Sequence, residues 1–256
     1  VIAVPRIPEV QDGQMLSTNL VNHIIKRTEY AADLLSEYKC IAGTSVRIEQ
    51  KYAGRIISSQ AVLDKTNSFF IGISAATGGS VSIQSIDSFV VNKVPANISQ
   101  VLGTATYLSG TSYRLTNNNR NEVGAVWHNA LISGASFSAS FNYTIGGSSD
   151  ADGFALIFCQ SYFLAGEGGG LGYQGAPTNS AAVEIDIFKN PSDPNNSHIA
   201  VLQGGSVITH LALSSVTVRP SGTLAVNYSN KTLNVSHNGL QIISYPIDLI
   251  SIIGTN

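Results

Sequence analysis

Charge is scarce in this sequence. Asp, Glu, Lys and Arg make up 12% of its 256 residues, about half of what a globular domain usually carries. The formal net charge is −2, so no cationic surplus exists to follow a phosphate backbone or an anionic lipid surface. Neither nucleic acid nor membrane insertion is expected. Cysteine is scarcer still, with Cys40 and Cys159 the only two, which excludes a disulfide framework. Cys159 ends the apolar run 153–159 and reads as a small buried hydrophobe; Cys40 is placed just after a helix. No apolar run reaches the ~18 residues of a membrane-spanning helix. No signal peptide stands at the start, and the chain opens on Val1 rather than Met, as a processed chain or a piece of a longer one would.

What the sequence has instead is 43% hydrophobic residues and 24 glycines, with Ser, Thr and Asn in place of charge. The charge it does carry is uneven: residues 1–66 hold 15 of the 30 charged side chains. A boundary near Thr66 follows. Before it, Val4–Pro8 is an extended arm, because each proline disfavours helix in the residue ahead of it. Ser17 or Thr18 offers an N-cap, and a helix is predicted from there to about Tyr38. Val21, Ile24, Thr28, Ala31, Leu35 and Tyr38 advance by steps of three and four, the seam of a coiled coil. An amphipathic helix packed on its own domain would give the same pattern over so short a span, and both readings stay open. Ser45–Gln50 and Arg55–Ser59 then read as strands paired across Ala53-Gly54, forming a neck.

Beyond Thr66 the pattern changes to period two between turn clusters. Strands are predicted in 67–79 and 81–91, then at Tyr113–Thr116, Glu122–His128, Ser136–Thr144, Gly153–Cys159, Ala182–Phe188, His198–Leu202, Ser206–Leu213, Thr223–Tyr228, Thr232–His237 and Leu240–Tyr245. A short apolar segment, Leu249–Ile253, closes one end. Many strands at this spacing imply a mainly β fold, an antiparallel sandwich.

One stretch carries chemistry. In Val183-Glu184-Ile185-Asp186-Ile187, alternation puts both carboxylates on one strand face and the three aliphatics on the other. Like charges that close repel unless a cation lies between them. The loop that follows supplies Asn190, Asp193 and His198. Hard oxygen donors suit Ca²⁺, and a site that adds one imidazole suits a transition ion such as Mn²⁺. The same loop, rich in Asn, Asp, Pro and Ser, would also serve as a plain turn.

The run 183–201, Val-Glu-Ile-Asp-Ile-Phe-Lys-Asn-Pro-Ser-Asp-Pro-Asn-Asn-Ser-His-Ile-Ala-Val, closely resembles the metal loop of the legume-type (L-type) lectins. Ala151-Asp152-Gly153-Phe154-Ala155 followed by Gly168-Gly169-Gly170-Leu171-Gly172 resembles that family's two sugar-binding loops. Residues 107–117 and 123–128 look like its early strands and residues 244–249 like a late one. The resemblance runs in family order over about residues 95–256. It implies a jelly-roll sandwich with two ions. Glu184, Asp186, Asp193 and His198 would hold the Mn²⁺-like ion; Asp186, the Phe188 carbonyl, Asn190 and Asp193 would hold Ca²⁺. The calcium would fix Asn190 and a cis Ala151–Asp152 peptide. Asp152, Asn190, a backbone N–H from Gly169 or Gly170 and the ring of Phe188 would then contact the sugar, with Tyr173 as a further contact. The remaining histidines, His23, His128, His210 and His237, find no partner in this pattern and read as surface or packed residues.

Residues 67–91 also look like lectin strands, but in the family they are the final pair. Either the domain is circularly permuted, with 67–256 one complete sandwich, or the pair belongs to a neighbouring copy. The expected organisation is an arm and helical stem at 1–40, a neck at 41–66 and a lectin-like sandwich at 67–256. Such a sandwich normally lacks an N-terminal helix, and an oligomerising stem, with a trimer favoured, accounts for one. The function expected is a carbohydrate-binding head that takes a glycan or glycoprotein receptor, outside the cell or on a virion surface, as in a phage tail fibre. The rival is a structural capsid or fibre protein that keeps the sandwich for assembly alone. A glycoside hydrolase is disfavoured. It needs two carboxyls flanking a cleft, one kept protonated, and Glu184 and Asp186 are committed to metal, so no enzyme is expected.

Overall fold

The structure, a computed structural model, describes residues 68–147, 149 and 151–254 in full, and of the earlier residues the backbone of 38–41, 45–52 and 55–62. The chain divides into two compact units, Val1–Asp64 and Lys65–Asn256. The expected arm, the helix from Ser17 and its seam up to Leu35 lie outside the described residues.

In the first unit, β1 (Tyr38–Ile41), β2 (Ser45–Tyr52) and β3 (Arg55–Val62) form an antiparallel three-stranded sheet in that order. The predicted hairpin is there, with Tyr52 opposite Arg55 across Ala53-Gly54. Tyr38, the last seam position, opens β1 rather than closing a helix, and Cys40 pairs with Ile48 in that strand.

The second unit begins with β4 (Ser68–Ala76), β5 (Ile83–Val91), β6 (Val94–Pro95), β7 (Ile98–Gly103), β8 (Thr106–Ser109) and β9 (Ser112–Thr116). It continues with β10 (Val123–His128), β11 (Ile132–Ser133), β12 (Ser136–Gly146), β13 (Gly153–Cys159), β14 (Ser180–Asp186) and β15 (His198–Gln203). It ends with β16 (Ala212–Ser215), β17 (Ser221–Ser229), β18 (Thr232–His237), β19 (Leu240–Pro246) and one short helix, α1 (Leu249–Ile253). Two sheets result, ordered β16-β15-β14-β13-β4-β10-β7 and β19-β18-β17-β12-β5-β9-β8, with β11 on β4 and β6 on β5. The chain is thus mainly β, an antiparallel sandwich, as the alternation predicts.

The core follows from that alternation. Phe69, Ile71, Ile73 and Ala75 of β4, Phe154, Leu156 and Phe158 of β13, and Val183 and Ile185 of β14 face Phe137, Phe141 and Tyr143 of β12 and Leu224 and Val226 of β17 in one cluster between the sheets. The alternate residues of the first sheet do not meet water either. Trp127, Ala155, Ile157 and Ala182 pack with Leu171, Tyr173 and Ala176 in a second cluster on its outer face. Segment 160–179 therefore lies over this sheet. Trp127 Nε1 donates to the Phe163 carbonyl at 3.1 Å, and Ser74 Oγ donates to the Leu171 carbonyl at 2.6 Å. Both clusters grip β14, all seven of whose residues are buried.

Two expectations need correcting here. Ser206–Leu213 is not a strand. Gly204 and Gly205 turn the chain with φ of +70° and +71°, and 206–211 runs as an irregular loop held by Val207 in the second cluster. Only at Ala212 does pairing with β15 begin. The strand predicted to reach Phe188 ends at Asp186, where the Phe188 N–H turns back onto the Asp186 carboxylate.

Gly72 stands opposite Trp127 in the pairing of β4 with β10. A Cβ added there would lie 2.4 Å from the indole ring, and overpacking of this kind costs about 1–3 kcal/mol. Gly72→Ala is expected to lower the urea midpoint accordingly, read by the emission of Trp127, the one tryptophan of the chain. An unchanged midpoint would show that the ring is free to shift.

Candidate functional site

β14 delivers Glu184 and Asp186 to the outer face of its sheet, because Val183 and Ile185 take the inner one. Asp186 sits between Gly153 of β13 and His198 of β15 in the strand registers. Glu184 is 1% exposed, Asp186 3%, Asp193 8% and His198 0%. Buried charge without a partner is costly, so where each polar atom goes is decisive.

The loop after β14 organises two of the carboxylates. The Phe188 N–H donates to Asp186 Oδ1 at 2.7 Å, and the Asn190 N–H donates to Asp193 Oδ2 at 2.7 Å. The Asp193 N–H returns to the Asn190 carbonyl at 3.0 Å. Asp186, Asp193 and His198 thereby present donor atoms within 4.8 Å of one another, and so do Glu184, His198 and His210. Glu184 Oε1 lies 3.3 Å from His198 Nε2 and 3.0 Å from His210 Nε2. These separations are in ion-pair range, yet none of the three atoms has a hydrogen-bond partner of acceptable geometry. Buried carboxylates and imidazoles that converge at this range are the donor types that suit a cation, and these groups fit the ions implied by the loop's resemblance.

The electrostatics agree. Without a cation, burial pushes the Asp186 carboxyl up to about 8, and the charges of Glu184 and Asp193 push the same way against the Phe188 N–H. Burial lowers the basicity of His198, but Glu184 and Asp186 beside it reverse the balance, so the net shift is upward. His210 also moves upward, through its contact with Glu184. This neighbourhood calls for positive charge.

Next to it, the peptide Ala151–Asp152 is cis, as the resemblance implies. Its geometry is tied to the sheet, with the Asp152 N–H donating to the Ala76 carbonyl at 2.9 Å and the Ile187 N–H donating to the Asp152 carbonyl at 3.0 Å. Asp152 is 4% exposed, and its Oδ2 is enclosed and has no partner. Burial pushes this carboxyl up to about 6, against a backbone N–H from Gly78. Gly168–Gly170 forms a single 3-10 turn. The Gly168 N–H is fixed on the Thr77 carbonyl at 3.1 Å. A Cβ on Gly169 would lie 2.7 Å from the Asn190 side-chain nitrogen, so the glycine turn and the loop after β14 touch. A cleft of about 450 Å³ opens between them, lined by Glu167, Gly169, Gly170, Asp186, Asn190, Asp193 and Ile208 among others.

The structure brings together Glu184, Asp186, Asp193 and His198, and beside them Asn190, Gly169 and Gly170. Phe188 is 36% exposed, on the solvent side of the loop. Asp152 and Phe188 do not line the cleft itself. Tyr173 is corrected: it is fully buried, its hydroxyl 3.1 Å from Ser180 Oγ and accepting from the Gly205 N–H, so it cannot meet a sugar. Of the two readings left for His210, the structure gives the packed one: its ring is 13% exposed and lies against Glu184, within the second donor set. No local signal marks it, because its place depends on the turn at Gly204-Gly205.

Residues 85–256, more than half of the chain, match the sequence model of the legume lectin domain. No curated protein matches the chain.

The buried carboxylates generate a prediction. In the metal-free protein Asp186 has its folded pKa raised from 3.8 to about 8. The stability it contributes is therefore fully present below 3.8 and is lost as pH rises through about 8. Stripping metal with EDTA at neutral pH is expected to lower Tm by roughly 5–10 °C for each ion removed, and Ca²⁺ or Mn²⁺ at a hundred times its Kd to restore about 2.7 kcal/mol per site. Asp186→Asn should raise the Tm of the metal-free protein and abolish its response to metal. Calorimetry that found Asp186→Asn less stable than the metal-free parent would count against the cation.

Proposed function

The chain belongs to the legume lectin family, and on that premise we propose that it is a metal-dependent carbohydrate-binding module. Membership points to glycan recognition rather than catalysis. The observation that carries the finer reading is the contact between Gly169 and Asn190, beside buried groups of carboxylates and imidazoles of the kind that hold cations. Glu184, Asp186, Asp193 and His198 hold the transition-metal ion. Asp186, the Phe188 carbonyl, Asn190 and Asp193 hold Ca²⁺. The ions lock a loop that its own N–H groups already shape, and the loop carries the amide of Asn190. Vicinal sugar hydroxyls then bridge Asn190, the carboxylate of Asp152 and a backbone N–H of the 168–170 turn. Only glycine lets the backbone come this near. Phe188 offers an exposed ring to the apolar face of a pyranose.

We further propose that residues 67–256 form a circularly permuted domain. Support comes from β4, which precedes the family match and yet lies between β13 and β10 of the same chain. The seam of residues 21–35 supports an oligomeric stem, a trimer by preference, that multiplies weak single sites into useful avidity. A head of this kind suits a fibre or adhesin that displays it on a virion or cell surface to a glycan or glycoprotein receptor. The rival reading, a sandwich kept for assembly, draws on Asp152 being closed off from solvent.

A glycan array tests the choice. Binding is expected that EDTA abolishes, Ca²⁺ with Mn²⁺ restores, and Asn190→Ala or Asp152→Ala removes by at least about tenfold, as loss of a buried polar contact of about 1.4 kcal/mol or more would. A blank array from metal-loaded, folded protein would favour the assembly reading. Light scattering on the full chain is expected to report three chains per particle.

A further inference from the structure

We infer that His210 is a direct ligand of the transition-metal ion, making the site a two-imidazole centre that prefers zinc-class ions over manganese. The inference rests on the metal reading proposed above and goes beyond it, since that reading gives the ion one imidazole, His198.

His210 Nε2 lies 3.0 Å from Glu184 Oε1, and its ring centroid lies 5.2 Å from that of His198 with the rings at 67°. Glu184, His198 and His210 form one donor set; Asp186, Asp193 and His198 form the other. The sets share His198, so His210 stands beside the donors assigned to the transition-metal ion. An ordinary ion pair would aim an N–H at a carboxylate lone pair. Here Glu184 Oε1, His198 Nε2 and His210 Nε2 all lack a hydrogen-bond partner, and Glu184 and His198 are more than nine-tenths buried. Two imidazole nitrogens converge on one buried carboxylate oxygen, at 3.3 and 3.0 Å, and the three atoms are near enough to one another to hold a cation between them.

The placement of His210 is built into the fold. The Gly204 N–H donates to the Ser180 carbonyl at 2.9 Å, and the Gly205 N–H donates to the Tyr173 hydroxyl at 3.1 Å. At the other end the Leu211 N–H donates to the Val201 carbonyl at 2.9 Å. The loop is fixed on both sides of His210, and its ring is only 13% exposed. Imidazole suits zinc, copper and nickel, whereas manganese takes carboxylate, carbonyl and water. A second nitrogen donor shifts selection away from manganese.

The test compares the full chain with His210→Ala and Glu184→Gln after metal is stripped. Zn²⁺ and Mn²⁺ affinities are measured by chelator competition, and Co²⁺ is added as a spectroscopic probe. His210→Ala is expected to weaken Zn²⁺ by at least about tenfold, since even outer-sphere partners are worth 10- to 100-fold, while Mn²⁺ changes much less. The Co²⁺ absorption bands shift with the lost nitrogen. Equal Zn²⁺-to-Mn²⁺ ratios and one Co²⁺ spectrum for parent and His210→Ala would overturn the inference and leave the metal site standing. If the parent binds none of these ions, like Glu184→Gln, the metal reading falls and this inference with it.

Discussion

Everything near the site follows from one electrostatic constraint, the packing of Glu184, Asp186, Asp193 and His198 into a space that water hardly reaches. A carboxylate in such a place needs a proton, a donor or a cation. Backbone N–H groups serve one oxygen each of Asp186 and Asp193, and Glu184 Oε1 faces the imidazoles of His198 and His210. The crowding is not an accident of a surface loop. β14 lies between β13 and β15, gripped by one cluster on its inner face and another on its outer face. The apolar packing that holds β14 in register also holds its two carboxylates where they repel. Stability of the sheet and demand for positive charge are thus set by the same strand.

The second cluster explains how distant segments reach that strand. A sandwich needs only its inner faces apolar, but here Trp127, Ile157 and Tyr173 make the outer face of one sheet apolar as well. Segment 160–179 must cover it, and the glycine turn at 168–170 is part of that cover. The contact of Leu171 with Ser74, the bond of Gly168 to Thr77 and the burial of Tyr173 are all consequences. Tyr173 anchors the loop rather than facing outward, which is why a motif-based reading misplaces it.

Much of this was legible in the sequence, for a physical reason. Period-two alternation is a local property, so strands such as β12, β13, β17 and β18 could be read from their own residues. The split of Val183-Glu184-Ile185-Asp186 into an apolar and an acidic face is equally local, and the main core does contain Val183, Ile185 and Ile187. Ser206–Leu213 failed because its alternation is mimicked by an irregular loop whose course is set by two left-handed glycines and by Val207 far from its own strand. His210 was missed with it. A residue brought to a site by tertiary anchoring leaves no trace in spacing. The position of β4 is another non-local fact. Its residues look like a strand, but only the pairing with both β13 and β10 places it in the middle of a sheet.

The remaining step concerns order of assembly. Asp186 and Asp193 are oriented by N–H groups of their own loop, from Phe188 and Asn190. Those bonds need no cation, so the loop is shaped before one arrives, and less ordering remains to be done on binding. One of these bonds holds the Asn190 main chain, and the Asn190 side chain meets Gly169 at a distance that any side chain there would invade. A substitution at Gly169 would therefore move Asn190, and through Asn190 the bond to Asp193. A change in the proposed sugar contact and a change in the donor set are then one event, transmitted across a single glycine. The two loops are coupled because the backbone leaves them no independent positions.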